Sequence, residues 1–185
     1  MGVVFDAVDL SLDRPVAIKA IHPELTQHEA IVRRFLAEAK MIAKLRHPNI
    51  VTVYAAGNAN GLLYYVMDRV PGESVRARLQ REGKLPIADA RRIVRDVAAA
   101  LEAAARAALV HRDVKPENIL LESASGRALL VDFGVARAIA SDPGVTSDTG
   151  RGIAVGTPSY MSPEQAAGEE VDACSDLYGD RKSVV

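Results

Sequence analysis

The chain has 185 residues, 49% of them hydrophobic, and its 23 Lys and Arg nearly balance its 24 Asp and Glu, for a net charge of -1. This composition excludes a disordered tail and provides enough apolar material for one core or two small lobes. It also provides no overall field that would attract nucleic acid or an anionic membrane, so any phosphate chemistry must be local to a site.

The sequence contains one cysteine, Cys174, which excludes an internal disulfide and indicates a reducing, cytoplasmic environment. Because no His or Lys lies close to it in the sequence, we expect a buried, unreactive thiol. No apolar stretch approaches the roughly 20 residues that a membrane span needs, and Met1 is followed by no signal peptide. We therefore expect a cytoplasmic chain that makes no membrane contact itself.

The first third of the sequence predicts a small antiparallel sheet with one helix. Apolar residues recur at three- and four-residue steps from Thr26 to Leu45, which predicts an amphipathic helix that stops before Pro48. Short β-branched runs separated by polar turns precede and follow this helix, and each pair predicts neighbouring antiparallel strands. The predicted strands are 3–8, 16–21, 50–55 and 62–67.

After Pro71-Gly72 the pattern becomes mainly helical, with predicted helices at 74–81 and 87–108. Short apolar runs at 119–121 and 129–131 and a long Gly/Ser/Thr-rich stretch at 141–160 follow, and a loop of that length is typical of a functional segment. The predicted buried stripe of the longer helix is Ile87, Ala90, Val94, Val97, Leu101 and Ala104. We place one domain at residues 1–70 and a second at 71–179.

Three motifs follow one another in the second domain. They are His111-Arg112-Asp113-Val114-Lys115-Pro116-Glu117-Asn118, then Asp132-Phe133-Gly134, then Ser162-Pro163-Glu164. In this order they resemble the signature set of the protein kinase superfamily, and the resemblance extends from Gly2 to about Tyr178. It implies an α+β, two-lobed protein kinase fold: a small antiparallel β-sheet lobe with one helix, and a larger, mainly helical lobe that is incomplete here.

The resemblance implies transfer of the γ-phosphoryl group of ATP to serine and threonine hydroxyls of proteins. Asp113 would orient the attacking hydroxyl and accept its proton, and Lys115 would stabilise the oxygens of the transferred group. Asn118 and Asp132 offer hard oxygen ligands, which are typical of Mg²⁺ or Mn²⁺ sites. Phosphoryl transfer depends mainly on such positioning and charge neutralisation.

Nucleotide-binding residues are implied along the first domain. Lys19 matches the strand lysine that contacts the α- and β-phosphates, and Glu38 matches its ion-pair partner on the helix. Gly2 and Val4 match the end of the glycine-rich loop that covers the phosphates. The implied adenine site consists of Met67 as gatekeeper, backbone groups of Asp68 and Val70, and the side chains of Val4, Ala17 and Leu120.

In the kinase family, the segment between Asp132 and Glu164 determines which hydroxyl side chains are phosphorylated and how the activity is regulated. Lys115 and the run Gly156-Thr157-Pro158 match the serine/threonine-specific branch, in which Thr157 helps to hold Asp113 and Lys115. The run Met161-Ser162-Pro163-Glu164-Gln165 is similar to bacterial members of the family.

Arg112, beside the predicted base, is the feature that lets such kinases respond to phosphorylation of this loop. We therefore expect regulatory autophosphorylation, with self-association that permits transfer in trans. The expected acceptors are Thr146, Ser147 and Thr149.

The sequence departs from the family after Tyr178. Residues 180–185 are identical to the translation of a common sequencing adapter in one frame, so we expect a non-native tail there, with a genuine polar tail as the alternative. In the family a long buried helix follows Asp176 and covers the apolar stripes, so we expect this chain alone to be marginally folded and nearly inactive. A missing carboxy-terminal segment of the full-length protein would be the place for a membrane anchor.

Two other functions remain open at this point. A pseudokinase would bind nucleotide without transfer, but such proteins usually lose the equivalents of Lys19, Asp113 or Asp132, which are all present. A small-molecule phosphotransferase of related fold typically lacks a lysine two residues after the aspartate and the Gly-Thr-Pro-x-Tyr segment, and both features are present here.

Overall fold

A computed structural model of the protein describes residues 2–21, 29–133 and 158–183. The chain forms two compact units, one of Met1–Arg46 with Val51–Arg69 and the other of His47–Ile50 with Val70–Val185.

The first unit is built on a four-stranded antiparallel sheet in the order β1-β2-β4-β3. Its strands are β1 (Val3–Asp9), β2 (Arg14–Ala20), β3 (Val53–Ala59) and β4 (Leu62–Asp68). Both predicted strand pairs form, but the turn after β3 is shorter than predicted. Only Asn60 and Gly61 make it, with φ values of 52° and 80°, which is the backbone that a two-residue Asn-Gly hairpin requires.

One helix, α1 (Glu29–Lys44), packs against this sheet. Its buried residues Phe35, Ala39 and Ile42 recur at four- and three-residue steps, as an amphipathic helix requires. Phe35 is fully buried, and its ring centroid lies 6.3 Å from that of Tyr65 on β4. The predicted start at Thr26 lies outside the described residues.

The second unit contains a small antiparallel sheet in the order β5-β6-β7 and several helices. Ser74 caps α2, because its hydroxyl accepts the backbone N–H of Ala77 at 3.1 Å. The elements in chain order are β5 (Gly72–Ser74), α2 (Val75–Glu82), α3 (Ile87–Arg106), β6 (Ile119–Glu122), β7 (Ala128–Leu130), α4 (Pro163–Ala167) and α5 (Ala173–Ser183).

Helix α3 has a buried face that differs from the predicted stripe. Val97, Leu101 and Ala104 are buried as predicted, but Ile87 is 79% exposed because it lies in the first turn of the helix. Ile93, fully buried, takes the place that the prediction gave to Val94. The helix therefore faces the core about one residue away from the predicted stripe at its amino-terminal end.

The predicted α+β class is confirmed, with a sheet and one helix in the first unit and a mainly helical second unit. The expectation of a buried thiol is wrong, since Cys174 is exposed near the start of α5. No helix in the described part of the chain is long and apolar enough to cross a membrane.

Helix α5 continues to Ser183 and so includes four residues of the predicted tail. Asp180 is only 4% exposed there, and its Oδ1 atom has no hydrogen-bond partner among the described residues. Burial raises the pKa of Asp180 to about 6. An ionisable side chain at such a position is unfavourable, and the foreign origin of residues 180–185 remains a prediction.

We predict that Asp180→Asn changes the pH dependence of thermal stability. The pKa of Asp180 in the folded chain is about 6, above the ordinary value of 3.8, so protonation favours the folded state. Its contribution to stability is complete below pH 3.8 and is lost as pH rises through about 6. The Tm of the original chain should therefore fall relative to that of Asp180→Asn between about pH 4 and pH 7.

The matched control is Asp13→Asn, at an exposed carboxylate in the turn between β1 and β2. Its Tm should follow that of the original chain across the whole pH range. Parallel Tm curves for the original chain and Asp180→Asn would contradict the raised pKa.

Candidate active site

Four of the predicted nucleotide-binding residues share one face of the first unit's sheet. Val4 lies directly opposite Lys19, and Ala17 lies directly opposite Met67. Cross-strand partners point to the same face, and so do residues two apart on a strand. Lys19 and Ala17 are two apart on β2, so all four side chains share that face. Val4 is 52% exposed there, whereas Ala17 and Met67 are buried.

Glu38 lies on the helix that packs against this same face. Tyr65 is the direct cross-strand partner of Lys19, and Phe35 of α1 packs against the ring of Tyr65. Glu38 follows Phe35 by three positions, so the two lie on one side of the helix. Both Lys19 and Glu38 are half-buried. This arrangement is the one that the predicted ion pair needs, and the pair itself remains a prediction.

Gly2 approaches the backbone of β2 more closely than any side chain would allow. A Cβ atom at this position would lie 2.0 Å from the carbonyl oxygen of Ala20. The position therefore requires glycine for packing within the sheet, whatever role it has towards phosphate.

The predicted adenine contacts lie in different units. The backbone N–H of Asp68, at the end of β4, donates to the carbonyl of Thr52 at 2.9 Å, so it is not available to a purine. The carbonyl of Asp68 is then the group that would serve the predicted role. Val70 and Leu120 belong to the second unit, where both are half-buried, Leu120 on β6.

The predicted catalytic residues of the second unit are brought together around Asp113. Lys115 Nζ lies 2.9 Å from Asp113 Oδ2, and Asn118 Nδ2 donates to the same oxygen at 3.0 Å and to the Asp113 carbonyl at 2.8 Å. Lys115 and Asn118 are each only 6% exposed. A cation and an amide therefore hold the Asp113 carboxylate in one orientation.

The orientation of Asn118 also decides which of its atoms could bind a metal. Its amide nitrogen is used on Asp113, so Oδ1 is the atom left as a ligand. The backbone N–H of Val131 donates to the Asn118 carbonyl at 3.0 Å. Asp132 follows Val131 directly, so its backbone lies close to that of Asn118. An amide oxygen and a carboxylate are hard donors that fit Mg²⁺. The described residues contain no cluster of three or more His, Cys, Asp or Glu that could hold a metal.

His111 is a fully buried support beneath Asp113. Its Nδ1 accepts the backbone N–H of Asp113 at 3.2 Å, so its proton lies on Nε2, which donates to the Val131 carbonyl at 3.0 Å. The ring also contacts Phe133, with 4.7 Å between ring centroids. Burial lowers the pKa of His111, which keeps the ring neutral and Nδ1 available as an acceptor.

Asp176, at the start of α5, anchors residues 111–118, which we call the catalytic loop after their predicted role. It was not among the predicted site residues. Its Oδ2 accepts the backbone N–H of His111 at 2.6 Å, and its Oδ1 accepts that of Arg112 at 2.7 Å. The residue is 4% exposed, and burial raises its pKa while the two N–H bonds oppose that rise. The sequence showed that Asp176 matches an aspartate of the kinase family, but it did not show the two hydrogen bonds to His111 and Arg112.

Glu164, in the third motif, pairs with a residue at the start of α5. Its carboxylate accepts the hydroxyl of Ser175 at the start of α5, and this hydrogen bond lowers the pKa of Glu164. The predicted positioning residue and the predicted phosphorylation sites lie outside the described residues; these are Thr157, Thr146, Ser147 and Thr149.

Comparison with known proteins gives a consistent result. The protein kinase domain family matches residues 1–179. Serine/threonine-protein kinase PknD of Mycobacterium tuberculosis is 46% identical over 178 residues, covering 96% of this chain and 26% of PknD. Serine/threonine-protein kinase pkn3 of Myxococcus xanthus is 41% identical over 182 residues, covering 96% of this chain and 33% of pkn3. The chain thus spans about a third or less of these curated relatives.

The solved structures it resembles include the Mycobacterium tuberculosis PknI kinase domain. The TM-score is 0.79 at 31% sequence identity, over 100% of this chain and 66% of the solved chain. A double mutant of the same domain gives a TM-score of 0.80, also at 31% identity.

We predict that Asp176→Asn destabilises the second unit. An amide keeps one acceptor but turns an NH₂ group towards a backbone N–H, so one buried hydrogen bond to a carboxylate is lost. The free energy of unfolding should fall by about 2 kcal/mol, measured by urea denaturation. Glu170→Gln, which neutralises an exposed carboxylate near the same helix, is the control and should have no effect. Equal stabilities of Asp176→Asn and the original chain would show that these two hydrogen bonds contribute nothing.

Proposed function

The chain belongs to the protein kinase domain family, and on this premise we propose that it is the catalytic region of a serine/threonine protein kinase. The proposed reaction transfers the γ-phosphoryl group of ATP to serine and threonine hydroxyls of protein substrates. The observation that carries the proposal is the Asp113 carboxylate, held between Lys115 and Asn118 in one orientation.

In the proposed mechanism, Asp113 orients the substrate hydroxyl and accepts its proton as the oxygen attacks phosphorus. The neutral His111 holds the backbone N–H of Asp113, and the amide of Asn118 holds its carboxylate. Such fixed geometry favours the reaction because less entropy is lost in aligning the hydroxyl with the base. Lys115 lies 2.9 Å from Asp113, so its charge would be close to the oxygens of the transferred group.

Asn118 and Asp132 would hold Mg²⁺ or Mn²⁺, which neutralises charge on the β- and γ-phosphates when bound. The amide nitrogen of Asn118 is committed to Asp113, and no residue in the described part of the chain hydrogen-bonds to its Oδ1, which supports this role. In the first unit, the shared face of Val4, Ala17, Lys19 and Met67 supports binding of the adenine and the phosphates of ATP. Glu38 would orient Lys19, and Gly2 would border the phosphates. The resemblance to the family also assigns the carbonyl of Asp68, the backbone of Val70 and the side chain of Leu120 to adenine binding.

We also propose regulation by autophosphorylation between two copies of the chain. The sequence supports it through Arg112, beside the base, and the hydroxyl-rich segment with Thr146, Ser147 and Thr149. Thr157 would help to hold Asp113 and Lys115.

The single cysteine supports a cytoplasmic location for this region, with any membrane anchor in another part of the full-length protein.

We predict that Asp113→Asn lowers kcat about 10²–10⁴-fold, because the variant cannot accept the hydroxyl proton. ATP affinity should change little, since the proposed nucleotide contacts lie elsewhere. Turnover is measured with Mg·ATP and dephosphorylated casein, and affinity by fluorescence titration with an ATP analogue.

Two variants accompany this measurement. Lys19→Met should weaken ATP binding as well as turnover, because it removes a charge from the proposed phosphate site. Asp13→Asn makes the same chemical change as Asp113→Asn in an exposed turn and should leave both unchanged. Equal kcat for Asp113→Asn and the original chain would exclude the proposed base. An original chain that melts cooperatively and binds nucleotide but shows no turnover would support a pseudokinase.

We predict that autophosphorylation occurs at Thr146, Ser147 or Thr149 and that its initial rate per molecule rises with protein concentration, as a reaction in trans requires. Phosphopeptide mapping locates the sites, and a dilution series gives the order of the reaction. A rate per molecule independent of concentration would show transfer in cis, and phosphate found only outside residues 141–157 would overturn the proposed sites.

A further inference from the structure

Gln165 bridges two segments that are 53 residues apart in sequence. Its Nε2 donates to the carbonyl of Arg112 at 2.9 Å, and its Oε1 accepts the backbone N–H of Ser162 at 3.1 Å. These two partners are a backbone acceptor and a backbone donor. If the amide were flipped, its oxygen would face the Arg112 carbonyl and its NH₂ group would face the N–H of Ser162. The two hydrogen bonds therefore fix the orientation of the amide.

The bond to Arg112 acts on the peptide unit that precedes Asp113. The carbonyl of this unit accepts from Gln165, and its N–H, which belongs to Asp113, donates to His111 Nδ1 at 3.2 Å. Both polar groups of one peptide plane are therefore held by side chains. Because this plane carries the Cα atom of Asp113, its tilt determines where the carboxylate points.

Arg112 needs such support because its backbone lies in an unfavourable region. Its φ is 65°, in the left-handed region that non-glycine residues rarely adopt. Conformations of this kind persist only where surrounding contacts fix them. Asp176 holds the N–H on one side of Arg112, and Gln165 holds the carbonyl on the other.

Gln165 is itself held rigidly at the start of α4. Ser162, fully buried, accepts the backbone N–H of Gln165 at 3.3 Å, and the side chain of Gln165 returns a bond to Ser162, which together form a capping box. Pro163 fixes the first helical position between them. The donor that reaches Arg112 therefore comes from a preorganised turn.

We propose that Gln165 is a positioning residue for Asp113: it holds the 112–113 peptide plane and so couples the segment at 158–167 to the orientation of the catalytic carboxylate. This inference rests on the proposed kinase function for its effect on rate. Its effect on the backbone of the catalytic loop follows from the contacts alone.

The capping box allows the two bonds of Gln165 to be tested separately. Gln165→Glu keeps an acceptor for Ser162, since glutamate is a usual partner in a capping box, but has no N–H to give to Arg112. Gln165→Met loses both bonds without adding charge. Ser162→Ala removes the hydroxyl of the cap and leaves the Gln165 amide able to reach Arg112. Gln80→Glu makes the same chemical change on an exposed position of α2.

The full chain and these four variants are assayed with Mg·ATP and dephosphorylated casein. We expect kcat to fall about ten- to a hundredfold in Gln165→Glu and Gln165→Met, with the KM for ATP within about twofold of the original. Ser162→Ala should lower Tm and reduce kcat less than either Gln165 variant does, and Gln80→Glu should change neither. Hydrogen–deuterium exchange over residues 110–116 should be faster only in the two Gln165 variants.

The outcomes separate the two proposals. An active original chain whose kcat and exchange are unchanged in Gln165→Glu would overturn the positioning role while the kinase function stands. An original chain that melts cooperatively and binds ATP but shows no turnover, together with faster exchange in both Gln165 variants, would contradict the kinase function and support the contact. A fall in kcat in Ser162→Ala equal to that in Gln165→Met would assign the effect to the helix cap and overturn the role of the bond to Arg112.

Discussion

The carboxylate of Asp176 accepts the backbone N–H groups of His111 and Arg112, and the geometry of the catalytic loop depends on this interaction. A buried carboxylate is unfavourable unless its oxygens are hydrogen-bonded, and a buried N–H is unfavourable without an acceptor. Each therefore requires the other. Once these two peptides are fixed, His111 is in position to support Asp113, and Asp113 in turn receives Lys115 and Asn118.

The two units order the proposed site residues by different means. In the first, strand register alone aligns Val4, Ala17, Lys19 and Met67 on one face, because pleating fixes which side chains point together. In the second, irregular backbone carries the proposed reacting groups, and hydrogen bonds between distant residues replace the regularity of a sheet. Such loops hold functional side chains well only where every polar group of the backbone has a partner.

The sequence predicted the four strands of the first unit, the helices α1 to α3 and the residues around Asp113, since periodicity and motif order are local properties. It did not predict β5, α4 or α5. It did not predict the partners of Asp176 or Gln165, which lie 53 to 65 residues away along the chain. Periodicity failed at α3 too: Ile87 fits the apolar stripe but is exposed, while Ile93 is buried. Which side of a helix faces the core near its ends depends on neighbouring elements, and these are set by the tertiary structure.

The contacts around Asp113 also differ from those on the surface in how they respond to ionic strength. Arg106 and Glu102 form an exposed pair, which dissolved salt screens over about 8 Å at physiological concentration. His111, Lys115, Asn118 and Asp176 are all less than 10% exposed, so ions in solution cannot come between them. The orientation of Asp113 should consequently respond less to salt than the surface pair does. A salt dependence of turnover would then report the encounter with a charged substrate and not the state of the catalytic loop.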